Sequence, residues 1–154
     1  MSHPAAQERR LVLALLDATG FARACEALAP AQVHDLLARL HARLAAEVEA
    51  AGGTVVKLLG DAQLVAFDPA RAAPAVALLR RLGGSPCPEV PVPRGGRPSR
   101  LQVRAHAGTV AWGPLGTAAG TRPDAVGRAV NELFLLRGGD LVLSDELERM
   151  VGRA

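Results

Sequence analysis

Apolar residues fall along this chain in two rhythms. Leu11 to Leu16 is an unbroken apolar run of strand length, ended by Asp17-Ala18-Thr19-Gly20, which predicts a buried strand running into a turn. After Pro30 the spacing changes. Val33, Leu36, Leu37, Leu40, Leu44 and Val48 recur at three- and four-residue steps, with His34, Asp35, Arg39, Arg43 and Glu47 on the other side. Gly52-Gly53 stops this pattern, so a long amphipathic helix is predicted. Thr54–Leu59 and Gln63–Phe67 then read as two strands joined around Gly60-Asp61, a short hairpin. Strict alternation puts Val55, Lys57 and Leu59 on one face and Val56 and Leu58 on the other. Pro69 to Leu82 is a second helix, carrying Ala73, Val76, Ala77 and Leu79 and stopped by Gly83-Gly84.

Gly83 to Arg100 holds Pro86, Pro88, Pro91, Pro93 and Pro98 with little periodicity, and reads as a loop inside one domain. Leu101 to Trp112 alternates as a strand or hairpin, and Gly113, Gly116 and Gly120 punctuate a loop after it. Ala125 to Arg137 is predicted helical with Val126, Val130, Leu133 and Phe134 inward, and Asp140–Leu143 a short strand. Ser144 then caps a last helix that has Asp145 and Glu146 in its first turn. The expected organisation is an N-terminal segment, 1–10, and a single domain, 11–154, with the Pro-rich loop at 83–100. Its order, β-α-β-β-α-β followed by loop, helix, strand and helix, suits an α+β fold with a ferredoxin-like core. There an antiparallel sheet carries its helices on one face. The third strand of such a core lies beside the first and runs opposite to it. Asp17 and Asp61, forty-four positions apart, become neighbours at one sheet edge. Such a pair suits Mg²⁺ or Mn²⁺, hard cations that take one or two carboxylates plus phosphate oxygens. The alternative is that Asp17 caps a turn and Asp61 sits in a tight hairpin. The passage Ala18 to Ala22 leads from strand to helix, where free backbone N–H groups can hold phosphate or Gly20 can simply make a turn.

Composition narrows the class. At 154 residues, 49% hydrophobic and 21% charged, the chain is globular rather than disordered. It has no apolar run near the ~20 residues that span a bilayer. Met1 to Arg10 is polar and lacks the form of a signal peptide. Cys25 and Cys87 form no ligand cluster, so reduced thiols and a cytoplasmic setting are expected. The net charge of +3 could suit nucleic acid or a nucleotide polyphosphate. Phe21, Phe67, Phe134 and Trp112 are scattered, so the stacking surface of a nucleic-acid binder is missing and no nucleic-acid partner is expected. Among eighteen Lys and Arg residues only Lys57 is lysine, which singles it out in an arginine-biased chain. Read by itself it is either a specific cation or an ordinary strand lysine. His34 and His41, one heptad apart, read as surface or edge residues, and His106 as part of its strand.

Four segments resemble the class III nucleotidyl (adenylate and guanylate) cyclases. Leu16-Asp17-Ala18-Thr19-Gly20-Phe21 is similar to that family's F-x-D-I-x-G-F-T opening, and Gly52-Gly53-Thr54-Val55-Val56-Lys57-Leu58-Leu59-Gly60-Asp61 to its G-G-x-V-x-K-x-x-G-D. Arg104-Ala105-His106-Ala107-Gly108 resembles R-x-G-x-H-x-G with slightly shorter spacing and alanine at 105. Asp124-Ala125-Val126-Gly127-Arg128-Ala129-Val130-Asn131 matches D-x-x-G-x-x-V-N at every named position. The likeness runs in order from about Leu11 to Val151. It implies conversion of ATP to cyclic AMP and pyrophosphate, with Asp17 and Asp61 holding two Mg²⁺ or Mn²⁺ ions. The backbone around Ala18, Gly20, Phe21 and Ala22 would hold the triphosphate. Lys57 and Asp124 would read the base, an ammonium donating to a ring nitrogen of adenine and a carboxylate accepting from its amino group. Asn131 would position the ribose. It also implies a head-to-tail dimer, of two copies or with a related chain, in which Lys57 and Asp61 serve different sites.

The family's arginine four residues after the asparagine is replaced by Leu135, and the nearest arginines are Arg128 and Arg137. The family's usual final hairpin with a phosphate-binding lysine is also not expected, since the sequence has no second lysine. Both gaps touch transition-state stabilisation, while metal and base recognition look intact. Two readings follow: an adenylyl cyclase of reduced activity, or a cyclase-like module that binds nucleotide or dimerises without turnover.

Overall fold

The computed structural model describes residues 5–152. Met1 to Pro4 of the predicted N-terminal segment lie outside the described residues. The first strand, β1 (Gln7–Ala18), is buried from Leu11 to Leu16 and extends past that run at both ends. A one-and-a-half-turn helix, α1 (Phe21–Cys25), leads to the long amphipathic helix α2 (Pro30–Ala50), whose Leu36, Leu40, Leu44 and Val48 are buried. The hairpin follows as β2 (Thr54–Leu59) and β3 (Ala62–Phe67). After a 3-10 turn at Pro69–Arg71 comes α3 (Ala72–Leu82). Then follow β4 (Leu101–Thr117), β5 (Gly120–Val126), α4 (Arg128–Leu135), β6 (Leu141–Leu143) and α5 (Asp145–Gly152).

The sheet order is β2-β3-β1-β4-β5, with β6 joining β4 in parallel and all other pairs antiparallel. This is the expected α+β architecture with an antiparallel core, and β3 lies antiparallel beside β1 as predicted. The core helices α2 and α3 share one face as expected, and the later helix α4 covers the other. Val12, Ala14 and Leu16 pack under α2, α3 and α5, whereas Leu11, Leu13 and Leu15 pack against Ala129 and Leu133 of α4 on the opposite face. Six consecutive apolar residues in β1 follow directly from that, since a strand covered on both faces needs apolar side chains in both directions.

Two sequence-based boundaries change. The glycine-punctuated stretch after Trp112 is not a loop: β4 runs on to Thr117 and returns as β5, with Pro114 paired to Pro123 and Gly113 to Asp124. The predicted helix from Ala125 therefore starts only at Arg128. Val126 belongs to β5 and is exposed, Phe134 is also exposed, and of the four residues expected inward only Leu133 is fully buried. A register shift between Val55 and Lys57 also breaks the simple alternation of β2. Val56 is the extra residue, so Lys57 falls opposite Leu64 while Val55 falls opposite Val65. Val65 and Leu64 belong to opposite faces, and Lys57 is thereby turned onto the α4 face, away from Val55.

The Pro-rich stretch is fastened at both sides. Cys87, Val90 and Ser99 are buried, and Arg43 of α2 makes a two-pronged ion pair with Glu89, one prong at 2.9 Å. Both cysteines are free thiols. His106 is buried in β4, where it meets Ser144 Oγ at 2.8 Å and Glu132 at 2.9 Å, tying the strand to α4 and α5. Ser144 Oγ accepts from Leu147 N at 3.2 Å, the predicted cap of α5. Among the described residues no helix is long and apolar enough to cross a membrane.

Candidate active site

Alternation along β1 decides where Asp17 points. Leu11, Leu13 and Leu15 face the α4 side, and Asp17 is the next residue in that series. Asp61 sits in the two-residue turn between β2 and β3, and antiparallel pairing of β1 with β3 brings that turn to the end of β1. The two carboxyls come within hydrogen-bonding reach. Burial, then the hydrogen bond and the negative charge of Asp61, push the Asp17 carboxyl up to about 7. The charge of Arg104 and a hydrogen bond from the backbone at Ala18 pull the other way. Arg104 is paired with Leu15 on β4 and faces the same side of the sheet, its Nη1 donating to Phe134 O at 3.0 Å. In the sequence Arg104 stands out only as part of a motif. The alternation of Val103, Ala105 and Ala107 was the signal that could have placed it on the carboxylate side.

Among the described residues no group of three or more His, Cys, Asp or Glu gathers into a metal cluster. Two facing carboxyls, one of them holding its proton near neutrality, fit a hard cation whose remaining ligands are phosphate oxygens and water.

The strand-to-helix passage lies directly after Asp17. Thr19 is clasped by the end of the Pro-rich stretch: its N–H donates to Arg100 O at 2.8 Å, its Oγ1 accepts from Arg100 N at 2.9 Å, and its carbonyl accepts from Ser99 Oγ at 2.7 Å. Ala18 is buried at the end of β1, Gly20 takes the turn, Phe21 is half-buried, and Ala22 is exposed on α1.

Lys57 and Asp124 meet although they lie sixty-seven positions apart, Nζ to Oδ2 at 3.1 Å. The Asp124 carboxylate is fixed from its other oxygen, Oδ1 accepting from Ala125 N at 2.8 Å. The pair lines a cavity of about 490 Å³ together with Val56, Leu115 and the β4–β5 ribbon, a volume within the usual range for small ligands. Asp17 and Asp61 do not line it. Asn131 is exposed on α4 and makes no side-chain hydrogen bond to either pair, and Leu135 is 71% exposed near the end of the same helix. Arg137 lies beyond α4, donating to Phe134 O at 2.8 Å and Leu136 O at 3.0 Å. His34 is exposed as expected, but His41 is buried against Gly60 and Gln63, contrary to its reading as a surface or edge residue.

No protein-family model matches the chain, and no curated protein sequence does. Solved structures do. The guanylyl cyclase Cya2 superposes with a TM-score of 0.77 at 22% identity, over 97% of this chain and 81% of that one. The adenylyl cyclase CyaB from P. aeruginosa gives 0.76 at 19% identity, over 98% and 84%. A bacterial light-regulated adenylyl cyclase gives 0.75 at 18% identity, covering 96% of this chain but 46% of the larger one. With the element order and sheet described above, the chain has the fold of the class III adenylyl and guanylyl cyclase catalytic domains.

Proposed function

We propose that this domain is an adenylyl cyclase of reduced activity that forms cyclic AMP and pyrophosphate from ATP at sites shared between two copies of the chain. The observation that carries the reading is the Asp17–Asp61 pair, where burial, then the hydrogen bond and charge of Asp61, keep a proton on Asp17 up to about pH 7. Bound between them, Mg²⁺ or Mn²⁺ would supply the positive charge that eases ionisation of the 3′-hydroxyl and neutralises the departing pyrophosphate. In the reaction the 3′-oxygen bonds to the α-phosphorus, the bond from that phosphorus to the bridging oxygen breaks, and the hydroxyl proton leaves to solvent.

The chain's own residues bind and orient. The passage from Ala18 to Ala22 is held by Ser99 and Arg100, which take up Thr19, and leaves the N–H groups of Gly20, Phe21 and Ala22 for phosphate. Arg104 adds a cation on the same face. In the separate cavity Lys57 donates to a ring nitrogen of adenine and Asp124 accepts from its amino group, a pattern that suits adenine over guanine. Asn131, exposed on α4, is free to meet the ribose. The separation of the base-reading cavity from the carboxylate pair favours a site completed by a second copy. Turnover is the test: purified protein with Mn²⁺ and ATP should release cyclic AMP, and Asp17→Ala or Asp61→Ala should abolish it. Wild-type protein that binds ATP yet releases no product at any protein concentration would sink the enzyme reading.

One observation favours a second reading, a nucleotide-binding or dimerising module without turnover: Leu135 stands exposed where the family resemblance expects an arginine.

A further inference from the structure

The turn that carries Asp61 has only two central residues, Gly60 and Asp61, between the paired Leu59 and Ala62. Gly60 has φ +64, and no residue other than glycine has positive φ among the described residues, so Asp61 takes negative φ. This is the pattern of a II′ turn. The competing I′ turn differs by rotation of the single peptide plane between Gly60 and Asp61, which would give Asp61 positive φ. Asp tolerates that conformation, so the turn alone does not select between them. The rotation would carry the Gly60 carbonyl, and the Asp61 N–H with it, to the other side of the turn.

A side chain from α2 meets that carbonyl. His41 is 8% exposed and its Nε2 lies 2.7 Å from Gly60 O. A carbonyl only accepts, so Nε2 carries a hydrogen, and in the neutral ring Nδ1 then keeps a lone pair. Gln63, fully buried on β3, points its amide nitrogen at that Nδ1 at 3.3 Å and at the His41 carbonyl at 3.1 Å. Its Oε1 has no partner. The reversed amide would set an oxygen against both His41 acceptors, so the observed orientation keeps two donations and leaves one acceptor unmet. A buried orphan of that kind is rare. Gln63 is also paired across the sheet with Leu16, the residue before Asp17, so the network backs both carboxylates.

We propose that His41 is a positioning residue for the carboxylate pair: held in its Nε2–H tautomer by Gln63, it ties the Gly60 carbonyl to α2 and so holds in place the turn that carries the Asp61 carboxyl. The inference rests on the reading of Asp17 and Asp61 as metal ligands.

The test is Mn²⁺ titration of the full chain, read by electron paramagnetic resonance with a non-cyclisable ATP analogue at saturation. His41→Phe keeps the volume and removes the donor, and Mn²⁺ affinity should fall about tenfold, the weight of one hydrogen bond. His41→Gln restores an amide donor and should stay within about threefold of wild type. Asp61→Ala separates the two ideas. If it leaves Mn²⁺ affinity unchanged, the metal reading fails. If it abolishes Mn²⁺ binding while His41→Phe binds as wild type does, the role of His41 fails alone. Nitrogen-15 spectra of wild-type protein need no variant: a protonated Nε2 with bare Nδ1 is expected, and the opposite tautomer overturns the proposal even if His41→Phe does not fold.

Discussion

Replacing Asp17 by Asn removes the charge that the carboxylate pair disfavours while keeping the side chain's shape. In the native protein that carboxyl is pushed from the ordinary 3.8 up to about 7. Between those values the folded chain holds a proton that the unfolded chain has released. The stability linked to Asp17 is therefore fully present below about pH 4 and is lost as pH rises through about 7. The full displacement corresponds to about 4 kcal/mol. The carboxyl is only half-buried, and solvent screening reduces this to about 2 kcal/mol. Without divalent cations, Asp17→Asn and wild type should melt alike near pH 4. At pH 8 the variant should melt higher by roughly 4–8 °C for a chain of this length. Calorimetry of both proteins in chelator across this range provides the measurement. Added Mn²⁺ should then raise the melting temperature of the wild type only. A melting difference that stays constant from pH 4 to pH 8 would refute the account of the pair.

Lys57→Glu should lower the preference for ATP over GTP by about tenfold or more, measured as the ratio of kcat/KM values, and an unchanged ratio removes Lys57 from base recognition. Leu135→Arg adds a cation at an exposed position of α4, and should raise turnover by about 10²-fold if it meets the phosphates. An unchanged rate would mean that another group, such as Arg104, already serves there. Gly53→Ala should destabilise the fold by about 1–3 kcal/mol in urea melts, because a Cβ there would run into the Phe67 ring and lie 2.8 Å from Val48 Cγ1. A loss below about 0.5 kcal/mol would show that the helix-to-strand joint is looser than described.

Much of the fold was legible because burial left its period in the sequence. The three- and four-residue spacing of α2, the unbroken run of β1 and the Gly60-Asp61 hairpin all reflect local geometry, and the element order they set up brings Asp17 beside Asp61. What stayed hidden depended on partners distant in sequence. The bulge at Val56 turns Lys57 toward Asp124, and strict alternation cannot register one inserted residue. The β4–β5 ribbon keeps Pro114 and three glycines within paired strands, where local rules read a loop. His41 looked like a surface residue because imidazole is polar. Its burial became intelligible only once Gly60 and Gln63 supplied partners for both ring nitrogens.

In the proposed reading, two copies of this chain complete each other's catalytic site. Mixing Asp17→Ala protein with Lys57→Ala protein is the test, since the first alone should be inactive and the second, at low ATP, strongly impaired. In a head-to-tail pair the mixed dimer carries one doubly damaged site and one intact site. An equal mixture should therefore recover about a quarter of wild-type cyclic AMP formation. A mixture as inactive as its components, although mixed dimers form, would contradict the account.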